Sequence, residues 1–138
     1  MATVDANAWI ATFDPTDVFH APSVAFFRRV ARLQLPIHAP AFLVVEVACA
    51  LRRKLRDPSI GAQAVTEIRA HPLLRLHALD DVLLDDAVLL GMQYALRGAD
   101  ALYVATARLT QTALVTWDAE LFRRAGAVSP ADWLDANR

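Results

Sequence analysis

Apolar and polar positions change their period several times along the chain, and each change predicts an element. The opening "ATV" is a short apolar run stopped by Asp5. It predicts a buried strand, followed by a brief helical piece, "AWIATF", and a polar turn, "DPTD". Pro22 can open a helix reaching Leu33, because the N–H it lacks is one that a first helical turn leaves unpaired. "PIH" predicts a short strand, and beyond Pro40 the stretch from Phe42 to Leu55 reads as a helix stopped by "DP" at 57 and 58. Ser59 to Ala70 reads as another helix. "LLRLHAL" alternates as a strand does, and "DD" at 80 and 81 offers an acidic cap for a helix to about Leu96. "LRGADALYVATARL", from Leu96 to Leu109, predicts an apolar helix rich in small residues. "ALVT" follows as a strand, "AELFRRA" as a short helix stopped by Gly126, and "AVS" as a last short strand. Strands separated by one or two helices predict an α/β fold, with a mainly parallel sheet covered on both sides.

Composition narrows this picture. A chain of 138 residues is long enough for one buried core and short for two, so residues 1–138 are expected to form a single domain. Apolar residues reach 56%, but 27 residues are alanine, and no run of about 18 uninterrupted apolar residues exists to span a bilayer. No membrane association is expected. "MATVDANAWI" lacks the basic start of a signal peptide and carries an acid at position 5. The lone Cys49 excludes an internal disulfide and a cysteine-based zinc site, which agrees with a cytoplasmic location. With a net charge of -1 there is no global basic field, so any contact with nucleic acid must come from local patches.

Four acids fall where the pattern asks for something else. Glu46 lies inside a predicted helix with Phe42, Leu43, Cys49 and Ala50 as its i±3 and i±4 neighbours, so it shares an apolar face and cannot be an N-cap. A partly buried face, or an arginine reaching back from the end of the helix, would also accommodate it. Asp5, Asp100 and Asp118 each have a plain reading as a helix cap or turn residue. Taken together, three of the four fall at strand ends or helix starts on one rim of a parallel sheet, and Glu46 belongs to a helix entered from that rim. Gathering like charges costs about 1 kcal/mol per pair at 4 Å in water, and up to about 4 at an effective dielectric near 20. A divalent cation reverses that sign. Carboxylates without thiol or imidazole partners are hard oxygen donors suited to Mg²⁺ or Mn²⁺, and His20, His38, His71 and His77 show no metal-ligand spacing.

Four segments carry a resemblance: "VDANAWI", "APAFLVVEVACALRRKL", "LRGADALYVATARL" and "ALVTWDAEL". In order and spacing they resemble the PIN-domain ribonucleases, and within them the VapC-type toxins of bacterial toxin-antitoxin pairs. The resemblance covers almost the whole chain. It implies a three-layer α/β/α sandwich and an Mg²⁺- or Mn²⁺-dependent endoribonuclease whose metal-activated water cuts RNA. Asp5, Glu46, Asp100 and Asp118 would be the catalytic, metal-holding acids, with Asn7 and Thr116 in support. Some relatives carry a further acid near the last one, where this chain has Thr116 and Trp117, which leaves the number of metal ions open. The resemblance also implies a cognate VapB-type antitoxin and a homodimer.

Arg52, Arg53, Lys54 and Arg56 form a basic run after Glu46 that can supply RNA phosphate contacts, or can simply complement the helix C-terminus. Arg28, Arg29 and Arg32 form a second such patch. Receiver domains and haloacid-dehalogenase-like phosphatases also use acids at strand ends, but they resemble this chain poorly, since both expect a late lysine and Lys54 is the only one here. A non-catalytic PIN-like module binding RNA or protein is the remaining alternative, and such modules tend to have lost acids that this chain retains.

Overall fold

A computed structural model describes residues 1–138. Four strands, β1 (Ala2–Val4), β2 (Ile37–Pro40), β3 (Leu74–His77) and β4 (Ala113–Val115), form one sheet in the order β3-β2-β1-β4. Every pairing is parallel, and Thr3 of β1 faces His38 of β2 on one side and Leu114 of β4 on the other. Eight helices flank the sheet: α1 (Ala6–Phe13), α2 (His20–Arg32), α3 (Leu43–Lys54), α4 (Pro58–Ala70), α5 (Asp81–Tyr94), α6 (Gly98–Thr110), α7 (Ala119–Ala125) and α8 (Pro130–Ala136). The predicted α/β/α arrangement is the one observed. No helix is long and apolar enough to cross a membrane.

Helices on both faces bury the central strand throughout, which is why "ATV" reads as continuous rather than alternating. Local signals fix several helix ends. Asp57 accepts from Ser59 N ahead of Pro58, Asp80 accepts from Leu83 N, and α7 ends at Gly126 in the left-handed region at φ 66. The small residues of α6 allow close packing, since a Cβ added at Gly91 of α5 would meet the Ala101 Cβ at 3.3 Å.

Three local expectations need correction. α2 begins at His20, two residues before Pro22, because Asp17 Oδ1 accepts from Phe19 N and starts the turn earlier. "AVS" contributes only a single parallel bridge, Val128 with Val115, because Ser129 is already the cap of α8. α8 itself was not foreseen, although "SPAD" spells its start. Ser129 and Asp132 exchange capping bonds around Pro130 at the first position. Trp133 of this helix then packs edge-on against Phe26 at 5.0 Å, and Arg29 donates twice to the Asn137 carbonyl. Arg29 therefore anchors the C-terminal helix rather than standing free in a basic patch.

Strand order also places a crevice. The chain leaves β1 to lay down β2 and β3 on one side, then returns to add β4 on the other. Where neighbouring strands have connections leading in opposite directions, their carboxyl ends open a cleft. Here that is the junction of β1 and β4, with Asp5 and Thr116 as the next residues.

Candidate active site

Asp5 ends β1 and caps α1, its Oδ1 accepting from Ala6 N at 2.7 Å. Its Oδ2 accepts from the Thr116 hydroxyl at 2.7 Å and from Asn7 Nδ2 at 3.1 Å. Asn7 Nδ2 also donates to Thr116 Oγ1, while Asn7 Oδ1 accepts from Trp117 N. Thr116 Oγ1 accepts in turn from Asp118 N at 3.0 Å. Asn7 and Thr116 thus tie the end of β1 to the loop after β4 and hold one carboxylate in a single orientation.

Asp118 caps α7 through Glu120 N at 2.8 Å. Asp100 is not a cap. α6 starts at Gly98 with Arg97 at the N-cap, so Asp100 is the third helical residue and its side chain is free to face the cleft. Glu46 occupies the first turn of α3, where its Oε1 is buried without a hydrogen-bond partner. The buried Tyr103 hydroxyl of α6 lies beside Glu46 and likewise has no well-formed hydrogen bond.

These elements converge. A cleft of about 300 Å³ is lined by Asp5, Asn7, Glu46, Asp100 and Asp118 together with Ala6, Ile10, Arg97 and Ala99. Thr116 lies fully buried beneath it. A larger cavity of about 720 Å³ lies elsewhere, among α1, α2 and α4, and none of the four acids borders it. Arg52, Arg53, Lys54 and Arg56 do not border the acidic cleft either. Lys54 binds Asp14 at 2.8 Å and Asp17 at 2.6 Å, joining the end of α3 to the turn after α1.

Electrostatics in the cleft follow from burial and crowding. Burial is the main cause that pushes the Asp5 carboxyl up to about 7, with Glu46 and Asp100 adding to it and the Thr116 hydroxyl opposing. Burial also raises Glu46, against the nearby Tyr103 hydroxyl and with Asp100 adding. Asp100 is raised by burial, partly offset by Arg97. Tyr103 is driven far above its ordinary range by burial and by the charges of Glu46 and Asp5. Arg97, missed in the sequence reading, is the one cation at the cleft, reaching Asp100 and Asp118 at 3.3 Å each and Glu120 at 3.8 Å. Its position three residues before Asp100 was the available signal, since i,i+3 pairs share a helix face.

As the side chains stand, no three of them close into a ready-made metal cage. The donor set nevertheless fits a hard divalent cation: all oxygen, one atom of it orphaned in Glu46 and one carboxyl pushed toward neutrality by burial, with its acidic neighbours adding to it.

A parallel α/β sheet with an oxygen-lined acidic crevice at its switch point defines a class of proteins suited to phosphoryl chemistry. Within that class the chain belongs to the PIN-domain family, whose sequence profile matches residues 2–128. No curated protein matches the sequence. Among solved structures it is similar to the sarcin-ricin-loop-cleaving toxin VapC20 of Mycobacterium tuberculosis, with a TM-score of 0.76 and 20% identity over 93% of this chain and 97% of that one. A toxin-antitoxin complex from Klebsiella pneumoniae matches with a TM-score of 0.67 and 19% identity, covering 94% and 98% of the two chains. FitAcB from Neisseria gonorrhoeae matches at 0.70 and 17%, covering 95% and 99%. At these identities the likeness establishes a shared fold.

Proposed function

We propose that this protein is a divalent-metal-dependent endoribonuclease and the toxin of a type II toxin-antitoxin pair, with residues 1–138 working as one PIN domain in the cytoplasm. The observation that carries this reading is the convergence of Asp5, Glu46, Asp100 and Asp118 on one cleft, with Glu46 Oε1 buried and unpartnered. Asp5, Glu46 and Asp100 would hold Mg²⁺ or Mn²⁺, and Asp118 would complete the set. When bound, that ion supplies an activated water and neutralises the leaving oxygen of a phosphodiester.

The chain's own residues do the rest. Asn7 and Thr116 keep Asp5 fixed, so the first acid needs no reorganisation when it is called on. The cleft is lined by no serine, cysteine or histidine, and its carboxylates are assigned to the cation, so the proposed reaction is hydrolysis by water. A 5′-phosphate and a 3′-hydroxyl are the expected products, from single-stranded or looped RNA whose bases can be splayed apart.

Partners are supported by fold likeness to VapC20 and to toxin-antitoxin complexes. A cognate antitoxin is proposed on that basis. A homodimer is supported further by α5, which exposes Val82, Val88, Leu89 and Met92.

The test is incubation of the purified chain with labelled total RNA in Mg²⁺, in Mn²⁺ and in EDTA, beside calorimetric titration with Mn²⁺. Cation-dependent cutting with Mn²⁺ binding is expected. Absent or EDTA-resistant cleavage overturns the reading.

A further inference from the structure

Four carboxylates face a cleft that a polyanionic RNA must approach, so repulsion has to be offset at the point where a phosphate arrives. Arg97 is the one cation lining that cleft. The basic run on α3 cannot substitute, because Arg52 and Arg53 lie roughly 10 Å further along the helix axis than Glu46.

The contacts of Arg97 are those of a group able to change partners. Its backbone is set as the N-cap of α6, at φ -69 and ψ 155, but its side chain makes no capping bond. The side chain is 74% exposed and reaches Asp100 and Asp118 at 3.3 Å each. Charge-assisted bonds that bind tightly close to about 2.7–2.9 Å. Lys54 shows the contrast within the same molecule, at 2.6 and 2.8 Å from its two aspartates. Exposed, loosely closed pairs hold little free energy, so the guanidinium can exchange them readily.

We propose that Arg97 is the phosphate-positioning residue of this cleft. It rests on Asp100 and Asp118 in the free protein and turns one edge of its guanidinium to a phosphodiester oxygen of RNA when Asp100 is taken by the divalent cation. The five-donor fork can keep Glu120 on one edge while the other edge meets phosphate. Arg97 makes hydrogen bonds only; no covalent bond or proton passes through it. The proposal rests on the nuclease reading above.

Two measurements on the full chain test it, with Arg97→Ala and Arg97→Lys beside wild type. Without RNA, Mn²⁺ titration of Arg97→Ala is expected to give three- to tenfold tighter binding, since the guanidinium no longer competes for Asp100. With a labelled single-stranded RNA and saturating Mn²⁺, KM is expected to rise about tenfold, and log(kcat/KM) against log salt to lose about 0.7 of its slope, the share of one phosphate on a single strand. Arg97→Lys should keep that slope. Unchanged Mn²⁺ affinity and unchanged slope in Arg97→Ala overturn the proposal while wild-type cleavage leaves the nuclease reading standing. A wild type that binds no Mn²⁺ and cuts no RNA overturns both.

Discussion

Thr116 donates its hydroxyl proton to Asp5 Oδ2 at 2.7 Å, so the acid after the first strand is steadied by a residue 111 positions later. The same Oγ1 accepts from Asn7 Nδ2 and from Asp118 N. Thr116→Val keeps the shape and removes all three bonds. A loss of about 1–3 kcal/mol in urea denaturation is expected, together with weaker Mn²⁺ binding. Thr116→Ser should restore most of both.

As a proposed ligand, Asp5 is expected to link metal binding to pH. Its carboxyl is raised from 3.8 to about 7, so the cation-free fold is favoured where Asp5 is protonated and loses that advantage as pH rises through this window. A bound cation requires the ionised form. Mn²⁺ should therefore raise the Tm more at pH 8 than at pH 5.5. An equal shift at both values would show that Asp5 is not a ligand.

Asp100→Asn separates chemistry from folding. Because Asp100 does not cap α6, its replacement should leave stability within about 1 kcal/mol while abolishing RNA cleavage and weakening Mn²⁺ binding. Asp118→Ala should differ by costing about 1 kcal/mol, since it removes the cap of α7. Thermal melts beside cleavage assays distinguish the two.

Lys54 should matter to acid stability. Its ammonium, and after it the Thr16 hydroxyl, hold the Asp14 carboxyl down at about 2. The group therefore contributes stability above its ordinary 3.8 that is lost as pH falls toward 2. Lys54→Met should cost about 1–2 kcal/mol at neutral pH, because Asp14 is 2% exposed and would lose its partner. Acid unfolding should then begin at higher pH.

Leu89→Glu should convert the proposed homodimer to a monomer without unfolding it. Leu89 is 59% exposed on the apolar side of α5, so the charge meets water in the monomer and an apolar surface only in the pair. Light scattering on the eluted protein reads the outcome.

Periodicity and punctuation made most of the elements legible, because prolines, acidic caps and Gly126 mark ends by local chemistry. The last helix escaped because seven residues carry little periodicity, although Ser129 and Asp132 marked its start. Among the acids, the cap reading described Asp5 and Asp118 correctly and still left them at the cleft, since a residue that starts a helix at a strand end faces the crevice too. For Asp100 that reading was wrong by three residues, since Arg97 is the N-cap. Arg97 could have been read from its place three residues before Asp100, whereas the position of Tyr103 beside Glu46 was not legible, because it depends on how α6 seats on the sheet.

Strand order has a consequence for the timing of synthesis. β4 pairs with β1 although almost the whole chain separates them, and the cleft exists only where those two strands meet. A chain emerging from its N-terminus carries Asp5 early but can fix it only after Thr116 is available. A nascent fragment therefore has no assembled cleft, and the completed sheet and the completed site appear together.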